Sequence, residues 1–282
     1  MKRIAKAIIT LLPQNQISSL AGKLMRSPLS KSFIKRYVNH YGIDISGIEK
    51  PVEHYKNLNE FFTRKLAPGV RPIDPAPESI VSPVDGTVAQ AGKIENGSII
   101  QAKGVYYTVE QLLGSKEKAQ RFLNGDFITI YLSPRDYHRI HIPVSGKITG
   151  YHYIPGRLHP VNEIGVLHVP GLFTKNERLT TYIDSEFGEI ALVKVGAFIV
   201  GSVQIAYEDN IHSKHRGQEL VHSMEMHAQY KKGEELGFFE FGSTVILLFE
   251  ESTVELSSEL KEGITIKMGE RLGTFSTKSR LE

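Results

Sequence analysis

The sequence predicts an α+β protein that is mainly β, with amphipathic helices preceding a core that is an antiparallel β-sandwich or barrel. From about residue 79 onward, short apolar segments recur between Gly, Pro, Asp and Asn residues, which is typical of sandwiches and barrels. Before that point, the apolar residues follow helical spacing. The chain has 282 residues, 40% hydrophobic and 23% charged, enough apolar material for a full core.

Composition excludes several kinds of site. The chain contains no cysteine, so disulfides, thiolate metal sites and cysteine nucleophiles are excluded. No apolar run reaches the roughly 18 residues that a transmembrane helix needs. The first 43 residues hold eight Lys or Arg and no Asp or Glu, whereas the rest of the chain is net acidic. A basic head of this kind predicts an anionic partner surface.

Two basic amphipathic helices are predicted in this head. The first covers residues 4–12 and ends at Pro13. The second covers about 27–41, with an apolar stripe formed by Leu29, Phe33, Tyr37 and Tyr41. Such helices suit the interface of an anionic membrane, and the alternative is that their apolar faces pack on the core. A signal peptide is disfavoured because Lys6 interrupts the first apolar run. Nucleic acid is not an expected partner, because no reader motif is present.

The next elements lead into the β region. Asn57 and Glu60 resemble a capping box and predict a helix through Leu66, with Pro68 and Gly69 ending it. The basic side chains nearby are interpreted as surface charge: Arg64, Lys65 and Arg71.

Ten strands and one short helix are predicted beyond residue 79. The strands are 80–81, 87–89, 127–132, 139–142, 146–154, 179–183, 190–195, 199–207, 244–249 and 264–267. The helix covers 109–113, with Thr108 as its N-cap and Gly114 as its stop. Residues 208–232 are predicted to form a solvated loop. The spacing of its four histidines fits no standard metal site: His212, His215, His222 and His227.

A Gly-Ser-Thr step heads the apolar strand 244–249. Gly242 lacks a Cβ, so another group can approach its carbonyl closely. The hydroxyl of Ser243 lies beside that carbonyl and could attack it, which would replace the amide by an ester. A simple turn at the start of a strand is the alternative that this short motif favours by itself.

Two other polar groups stand out against the β background. Asp85 is either a hairpin-turn residue or a carboxylate that orients an imidazole. The segment 133–143 contains Tyr137, His138 and His141, and histidine is the usual general base. Residues three apart point to opposite faces of a strand but can converge in a turn. The two histidines alone lack a third ligand, so no metal site is predicted.

Six segments resemble motifs of the phosphatidylserine decarboxylases, and they occur in the order of that family. They are residues 61–66, 81–86, 132–143, 172–178, 195–203 and 241–244. Phe241 replaces the leucine that is usual in the family's cleavage motif, and no change of function is expected because this side chain should only pack. The first 50 residues and the histidine-bearing loop carry little of the resemblance.

The resemblance implies a proenzyme that cuts itself between Gly242 and Ser243. Ser243 would attack the Gly242 carbonyl, with His141 as the base and Asp85 holding His141. The products would be a β chain of residues 1–242 and an α chain of residues 243–282 headed by a pyruvoyl group. The two chains would remain together as a heterodimer or in a higher oligomer.

Pyruvate, formed covalently from Ser243, is therefore the expected cofactor. It would make a Schiff base with phosphatidylserine in an anionic membrane and release CO₂, which gives phosphatidylethanolamine. His138 is expected to protonate the resulting carbanion, with Tyr137 as a rival donor and substrate-binding residue. Residues 1–56 are expected to associate with the cytoplasmic face of the cell membrane, as a peripheral region, and 57–282 to form the catalytic domain.

Three other functions fit parts of the sequence. A conventional hydrolase would use Ser243, His141 and Asp85 without self-cleavage, but the Gly-x-Ser-x-Gly elbow is absent. A non-enzymatic β-sandwich carrier would explain turns such as 83–86, but not the cluster at 136–141. Other pyruvoyl decarboxylases act on soluble amino acids, whereas the basic head favours a lipid.

Overall fold

The structure, a computed structural model, describes residues 14–102, 104–197, 203–207, 219–240 and 243–276. Within these ranges the chain is mainly β, with antiparallel sheets and several short helices, which confirms the predicted class. Over the residues that the structure describes, the sheets stay open and do not close into a barrel, so the closed alternative is not formed there.

Seven α-helices occur in these ranges, together with two short 3₁₀ helices at Pro28–Phe33 and Val52–His54. The α-helices are α1 (Gln14–Arg26), α2 (Ile34–Tyr41), α3 (Leu58–Phe62), α4 (Val109–Leu113), α5 (Lys116–Gln120), α6 (Glu163–His168) and α7 (Leu172–Lys175).

Sixteen strands are described. They are β1 (Ser79–Val81), β2 (Gly86–Lys93), β3 (Ser98–Ala102), β4 (Val105–Thr108), β5 (Asp126–Leu132), β6 (Arg139–His141), β7 (Gly146–Ile154), β8 (Arg178–Ser185), β9 (Gly188–Val195), β10 (Val203–Ile205), β11 (Leu220–Tyr230), β12 (Glu235–Phe239), β13 (Ser243–Phe249), β14 (Val254–Leu256), β15 (Thr265–Ile266) and β16 (Arg271–Phe275).

The main sheet has eight strands in the order β11-β7-β8-β9-β13-β5-β2-β15, and smaller sheets are formed by β1-β16-β14, β10-β12-β6 and β3-β4. Strand β13 lies inside the main sheet, antiparallel to both β5 and β9. Its first residue, Ser243, lies opposite Leu132 at the end of β5. The candidate nucleophile is therefore held at one end of a central strand.

Strand β13 is apolar on both faces because both faces are covered. Val245, Leu247 and Phe249 belong to one hydrophobic cluster. Ile246 and Leu248 alternate with them and belong to a second cluster on the opposite face. All five side chains are nearly fully buried, and each buried side chain of this size stabilises the fold by roughly 1.5–3 kcal/mol.

Two predicted helix starts are confirmed. In α4, Thr108 and Gln111 form a capping box, and Gly114 ends the helix in a left-handed conformation with φ 66°. Helix α3 begins as predicted, because the Asn57 side chain accepts a hydrogen bond from Glu60 N at 2.9 Å. The prediction that it reaches Leu66 is wrong, since Leu66 pairs with Ile48 in an antiparallel bridge.

The N-terminal region differs in part from the prediction. Residues 1–13 lie outside the described ranges, so the first predicted helix is not tested. Helix α1 was not predicted, whereas the second predicted helix is present as a 3₁₀ turn followed by α2. Its predicted stripe is divided between solvent and core: Leu29 is 77% exposed and Phe33 57%, whereas Tyr37 packs against the buried clusters. The most buried side chains of this segment, Ile34 and Val38, lie off the predicted stripe and fill a small third cluster.

Sequence reasoning missed several strands. Residues 220–230 form β11, which pairs with β7, so the prediction of a loop was wrong there. His212 and His215 lie outside the described residues, as do the side chains of His222 and His227. Strands β3, β4, β12, β14 and β16 were also not predicted. Among the helices described, none combines the length and the hydropathy that a membrane-spanning segment requires.

Candidate active site

The predicted site residues lie on three neighbouring backbone segments. Asp85 lies in the turn between β1 and β2, and the carbonyl of Pro83 in that turn accepts a hydrogen bond from His141 N at 2.9 Å. The carbonyl of His138 accepts a hydrogen bond from Phe239 N at 2.9 Å. Phe239 and Ser243 are four residues apart, which an extended chain spans in about 14 Å at most.

The turn that leads to the two histidines is stabilised by hydrogen bonds between Ser133 and Asp136. The Asp136 carboxylate accepts hydrogen bonds from both the backbone N and the hydroxyl of Ser133, each at 2.7 Å. The Asp136 N donates back to the Ser133 carbonyl at 3.0 Å. Such side-chain bonds to nearby backbone are how aspartate stabilises a turn. The turn therefore starts where β5 ends, directly beside the start of β13.

His138 is fully buried, and its two ring nitrogens have different surroundings. Its ring lies against that of Phe62, with 4.0 Å between the ring centroids. Its Nδ1 lies 2.9 Å from the Asp136 carbonyl. A carbonyl only accepts, so Nδ1 carries the proton and Nε2 of the neutral ring is unprotonated. Nε2 has no hydrogen-bond partner among the described residues. Burial lowers the pKa of His138 from 6.5 to about 3, which keeps the ring neutral.

His141 is also buried, but both of its ring nitrogens are occupied. Nδ1 lies 2.8 Å from the Gly233 carbonyl, so this nitrogen carries the proton. Nε2 lies 3.1 Å from the hydroxyl of Tyr137 and therefore accepts from it. Burial lowers the pKa of His141 and raises the pKa of Tyr137. The hydroxyl of Tyr137 thus keeps its proton and takes up the one nitrogen that could act as a base.

Asp85 is held by basic groups. Its side chain is 1% exposed and pairs with the Arg71 guanidinium. Arg71 Nε and Nη2 donate to the two carboxylate oxygens at 2.8 and 2.5 Å, and Met268 N donates at 2.9 Å. A bidentate contact of this kind is the strongest geometry for an arginine–carboxylate pair.

Asp85 does not form the expected hydrogen bond with His141 in the described structure, because the two ring nitrogens of His141 are bonded to Tyr137 and Gly233. Asp85 is nevertheless close enough for its charge to act on both histidines, since it raises the pKa of each against the effect of burial. The structure therefore brings Asp85 near His141 without joining them.

Ser243 is fully buried, and its Oγ has no hydrogen-bond partner among the described residues. Gly242 lies outside the described ranges. An unsatisfied buried hydroxyl costs roughly 1–3 kcal/mol, so a serine at this place is not explained by stability. Its burial at the head of a central strand, beside the histidine turn, is consistent with a reactive role.

Two basic residues of this site were misinterpreted as surface charge. Arg64 is 3% exposed, and Arg71 pairs with Asp85. The interpretation holds for Lys65, which is exposed. A buried carboxylate needs a basic partner, so a buried Asp85 requires a nearby Lys or Arg. The sequence alone does not show that this partner is Arg71.

Comparison with known proteins identifies the family. Residues 58–274 match the family model of phosphatidylserine decarboxylase. The chain is 50% identical over 275 residues to a phosphatidylserine decarboxylase proenzyme of Brevibacillus brevis, which covers 97% of this chain and 98% of that protein. It is 43% identical over 274 residues to the proenzyme of Myxococcus xanthus, covering 95% and 97%, and 42% identical over 278 residues to that of Anaeromyxobacter sp., covering 96% and 98%.

These matches define the class of the protein as a decarboxylase, an enzyme that breaks a carbon–carboxyl bond. Within that class, the chain belongs to the phosphatidylserine decarboxylase family. This confirms the resemblance inferred from the six sequence segments.

Proposed function

We propose that this chain is a proenzyme that cuts itself between Gly242 and Ser243 and then decarboxylates phosphatidylserine to phosphatidylethanolamine. The observation that carries the proposal is Ser243, a buried hydroxyl with no partner among the described residues, in a chain whose relatives are named proenzymes.

Self-cleavage would begin when Ser243 Oγ attacks the carbonyl carbon of Gly242 and gives its proton to His141. The peptide C–N bond breaks, and Gly242 becomes esterified to the serine oxygen. Elimination then removes the Cα proton of residue 243 and breaks its Cβ–O bond, so that Gly242 leaves as the carboxylate end of the β chain. The remaining dehydroalanine reacts with water, loses ammonia and becomes the pyruvoyl group of the α chain.

The contacts of His141 add one requirement to this sequence of steps. Its Nε2 accepts a hydrogen bond from Tyr137, so Tyr137 must release this nitrogen before His141 can take the serine proton. The charge of Asp85 raises the pKa of His141, which favours the protonated ring that forms. We assign Asp85 this supporting role, although its carboxylate is bonded to Arg71.

The pyruvoyl group, once formed, supplies a ketone that bonds the amine of the substrate and takes up the electrons freed as CO₂ leaves. His138 would handle the proton that replaces CO₂. Its Nε2 is buried and unprotonated, so it can accept a proton as the substrate amine reacts. The low pKa of His138 makes the protonated ring a strong acid toward carbon. Tyr137 is the alternative donor and a candidate for binding the substrate.

The two chains would remain associated after cleavage. Strand β13 is paired on one side with β5 and on the other with β9, and its side chains are buried on both faces. Separation of the α chain would expose this strand to water. A heterodimer of the two chains is therefore the expected product.

We further propose that residues 1–56 place the enzyme on the cytoplasmic face of the membrane as a peripheral protein, and that 57–282 form the catalytic domain. Leu20, Leu24, Leu29 and Phe33 are 71%, 63%, 77% and 57% exposed. Basic residues occur along the same segment: Lys23, Lys31, Lys35 and Arg36. Apolar side chains among basic ones suit an anionic lipid surface.

The self-cleavage proposal is tested by replacing the nucleophile. Ser243→Ala is expected to leave one uncut chain without decarboxylase activity, as judged by denaturing mass spectrometry and CO₂ release from phosphatidylserine. The wild-type protein should give two chains, the shorter one lighter by the elements of ammonia than a serine-headed peptide 243–282. Ser258→Ala, which changes an exposed serine, serves as the control. An active but uncut Ser243→Ala protein would overturn the mechanism, and uncut wild type would favour the hydrolase or carrier.

The membrane proposal needs point substitutions. Deletion of residues 1–26 would also remove Arg26, which pairs with the buried Glu240 close to the cleavage site. Leu24→Ser combined with Leu29→Ser is expected to weaken binding to anionic vesicles while self-cleavage stays normal. Ile164→Ser changes another exposed apolar residue and is the matched control. Unchanged vesicle binding in the double variant would remove this face from the membrane contact.

A further inference from the structure

A short segment after α3 supports the turn that carries His138. The ring of Phe62 lies against the His138 ring. The carbonyl of Thr63 accepts a hydrogen bond from Arg139 Nε at 3.0 Å. The next residue, Arg64, donates from Nη2 to the carbonyls of Arg135 and Asp136 at 3.0 and 3.1 Å. Three consecutive residues therefore contact both ends of the histidine turn.

The contact with Asp136 is the one that reaches the reactive ring. The Asp136 carbonyl accepts both from Arg64 Nη2, at 3.1 Å, and from His138 Nδ1, at 2.9 Å. A carbonyl oxygen has two lone pairs, so these two donors account for both. Arg64 thereby orients the Asp136 carbonyl oxygen toward His138. Because this oxygen can only accept, it keeps the proton of His138 on Nδ1.

Stability does not explain the burial of Arg64. Its side chain is 3% exposed, and its Nε and Nη1 have no hydrogen-bond partner among the described residues. In the described part of the chain, its hydrogen bonds go to two carbonyls, and its guanidinium carbon lies 5.1 Å from the ring centroid of Phe61. The charges of Asp85 and Asp136 act on Arg64 from a distance, but no direct ion pair to a carboxylate is described for it, and a buried cation without one costs free energy. A role in the site would account for its place.

We propose that Arg64 is a positioning residue: it holds the Asp136 carbonyl so that His138 keeps its proton on Nδ1 and presents an unprotonated Nε2. This inference rests on the proposed role of His138 in decarboxylation. It assigns a function to an arginine in the segment 61–66 that touches neither the substrate nor Ser243 in the proposed mechanism.

Electrostatics act in the same direction as geometry. Burial is the main reason that the pKa of His138 is low, and the charge of Arg64 lowers it further, whereas Asp85 and the bond to the Asp136 carbonyl raise it. The Asp136 carboxylate itself is bonded to Ser133. Loss of the Arg64 charge should therefore raise the pKa of His138, and loss of its hydrogen bonds should free the carbonyl.

The direct test is an NMR titration of ¹⁵N-labelled histidines in Ser243→Ala protein, which needs no pyruvoyl group and no activity. Adding Arg64→Gln is expected to raise the pKa of His138 and to mix its two tautomers. Arg64→Lys keeps the charge and should restore the low pKa while the tautomers remain mixed. Lys65→Gln removes an exposed neighbouring charge and should change neither. An unchanged pKa and a single tautomer in a folded Arg64→Gln protein would overturn the proposal.

A second measurement keeps the test decisive if Arg64→Gln does not fold. In otherwise wild-type protein, Arg64→Lys is expected to be cut normally but to lose about tenfold in kcat for decarboxylation, since misplacing a reacting group is costly. KM should stay within about twofold. An unchanged kcat would overturn the positioning role. Failure of the wild-type protein to decarboxylate phosphatidylserine would instead overturn the proposed function and leave the NMR result standing.

Discussion

His138 and His141 are three residues apart, and both are buried, yet their ring nitrogens have different partners. Each binds a backbone carbonyl through Nδ1, His138 that of Asp136 and His141 that of Gly233. The second nitrogen separates them. In His141 it accepts from the hydroxyl of Tyr137, whereas in His138 it has no hydrogen-bond partner among the described residues.

The difference comes from where each ring is placed. His138 precedes β6 and packs against Phe62, while His141 ends β6 and lies beside Tyr137, with 5.7 Å between the ring centroids. An unpartnered buried nitrogen is costly and ready to react, whereas a bonded one must first exchange its partner. This difference is what the proposed function requires of the two histidines, with His141 assigned to a cleavage that occurs once and His138 to a decarboxylation that recurs.

The largest effect is expected from His141→Ala. Without this base the serine hydroxyl keeps its proton, so the chain should remain uncut and inactive, as seen by denaturing mass spectrometry. His168→Ala, at a partly exposed histidine, should be cut like the wild type. Normal cutting of His141→Ala would show that the comparison assigns the wrong histidine to cleavage.

His138→Ala should separate the two steps. We expect a chain that is cut but decarboxylates phosphatidylserine about 10²–10⁴ times more slowly, the usual contribution of a general acid or base. Mass spectrometry reports the cleavage, and CO₂ release reports the activity. An uncut His138→Ala chain together with a cut His141→Ala chain would exchange the two roles.

Tyr137→Phe tests what occupies Nε2 of His141. The substitution removes the hydroxyl that donates to this nitrogen, so self-cleavage should continue within a few-fold of the wild-type rate. Time courses of cleavage during refolding or cell-free synthesis would measure it. If the variant stays uncut, the tyrosine oxygen itself is needed to pass on the proton from Ser243.

Part of the site and of the fold around these two histidines could be predicted from the sequence. The residue types marked out Asp85, His138, His141 and Ser243 as candidates, and the family resemblance supplied their predicted roles. The apolar, β-branched run predicted β13 as a buried strand, which the structure confirms. The helix α4 was predicted with both of its caps, because capping depends on residues that are adjacent in the chain.

The hydrogen-bond and ion-pair partners of these residues could not be predicted from the sequence, because they come from distant segments of the chain. Asp85 pairs with Arg71 and Met268, and His141 with Gly233. Nothing in the local pattern around Arg64 distinguishes it from Lys65, yet one is buried and the other exposed. Strand β11 was missed although residues 224–230 alternate between apolar and polar types, because the whole segment 208–232 was interpreted as a polar, histidine-bearing loop. Its pairing with β7 shows it to be a strand.

The smallest expected effect concerns stability at acid pH. The folded pKa of His138 is about 3 against an ordinary value of 6.5. Between pH 6.5 and about 3, the His138 ring is therefore protonated in the unfolded chain but neutral in the folded chain. The free energy of unfolding consequently falls as the pH falls through this range. The loss from this residue alone should reach about 2 kcal/mol between pH 7.5 and pH 5.

Urea unfolding of Ser243→Ala protein, with and without His138→Gln, isolates this contribution, since all other groups titrate in both. We expect the glutamine variant to lose less stability on acidification. His141→Gln should act in the same direction, because burial also lowers the pKa of His141. Parallel pH curves for the parent and the His138→Gln variant would mean that the folded protein protonates this ring as readily as the unfolded chain does, which would contradict a buried His138 kept neutral.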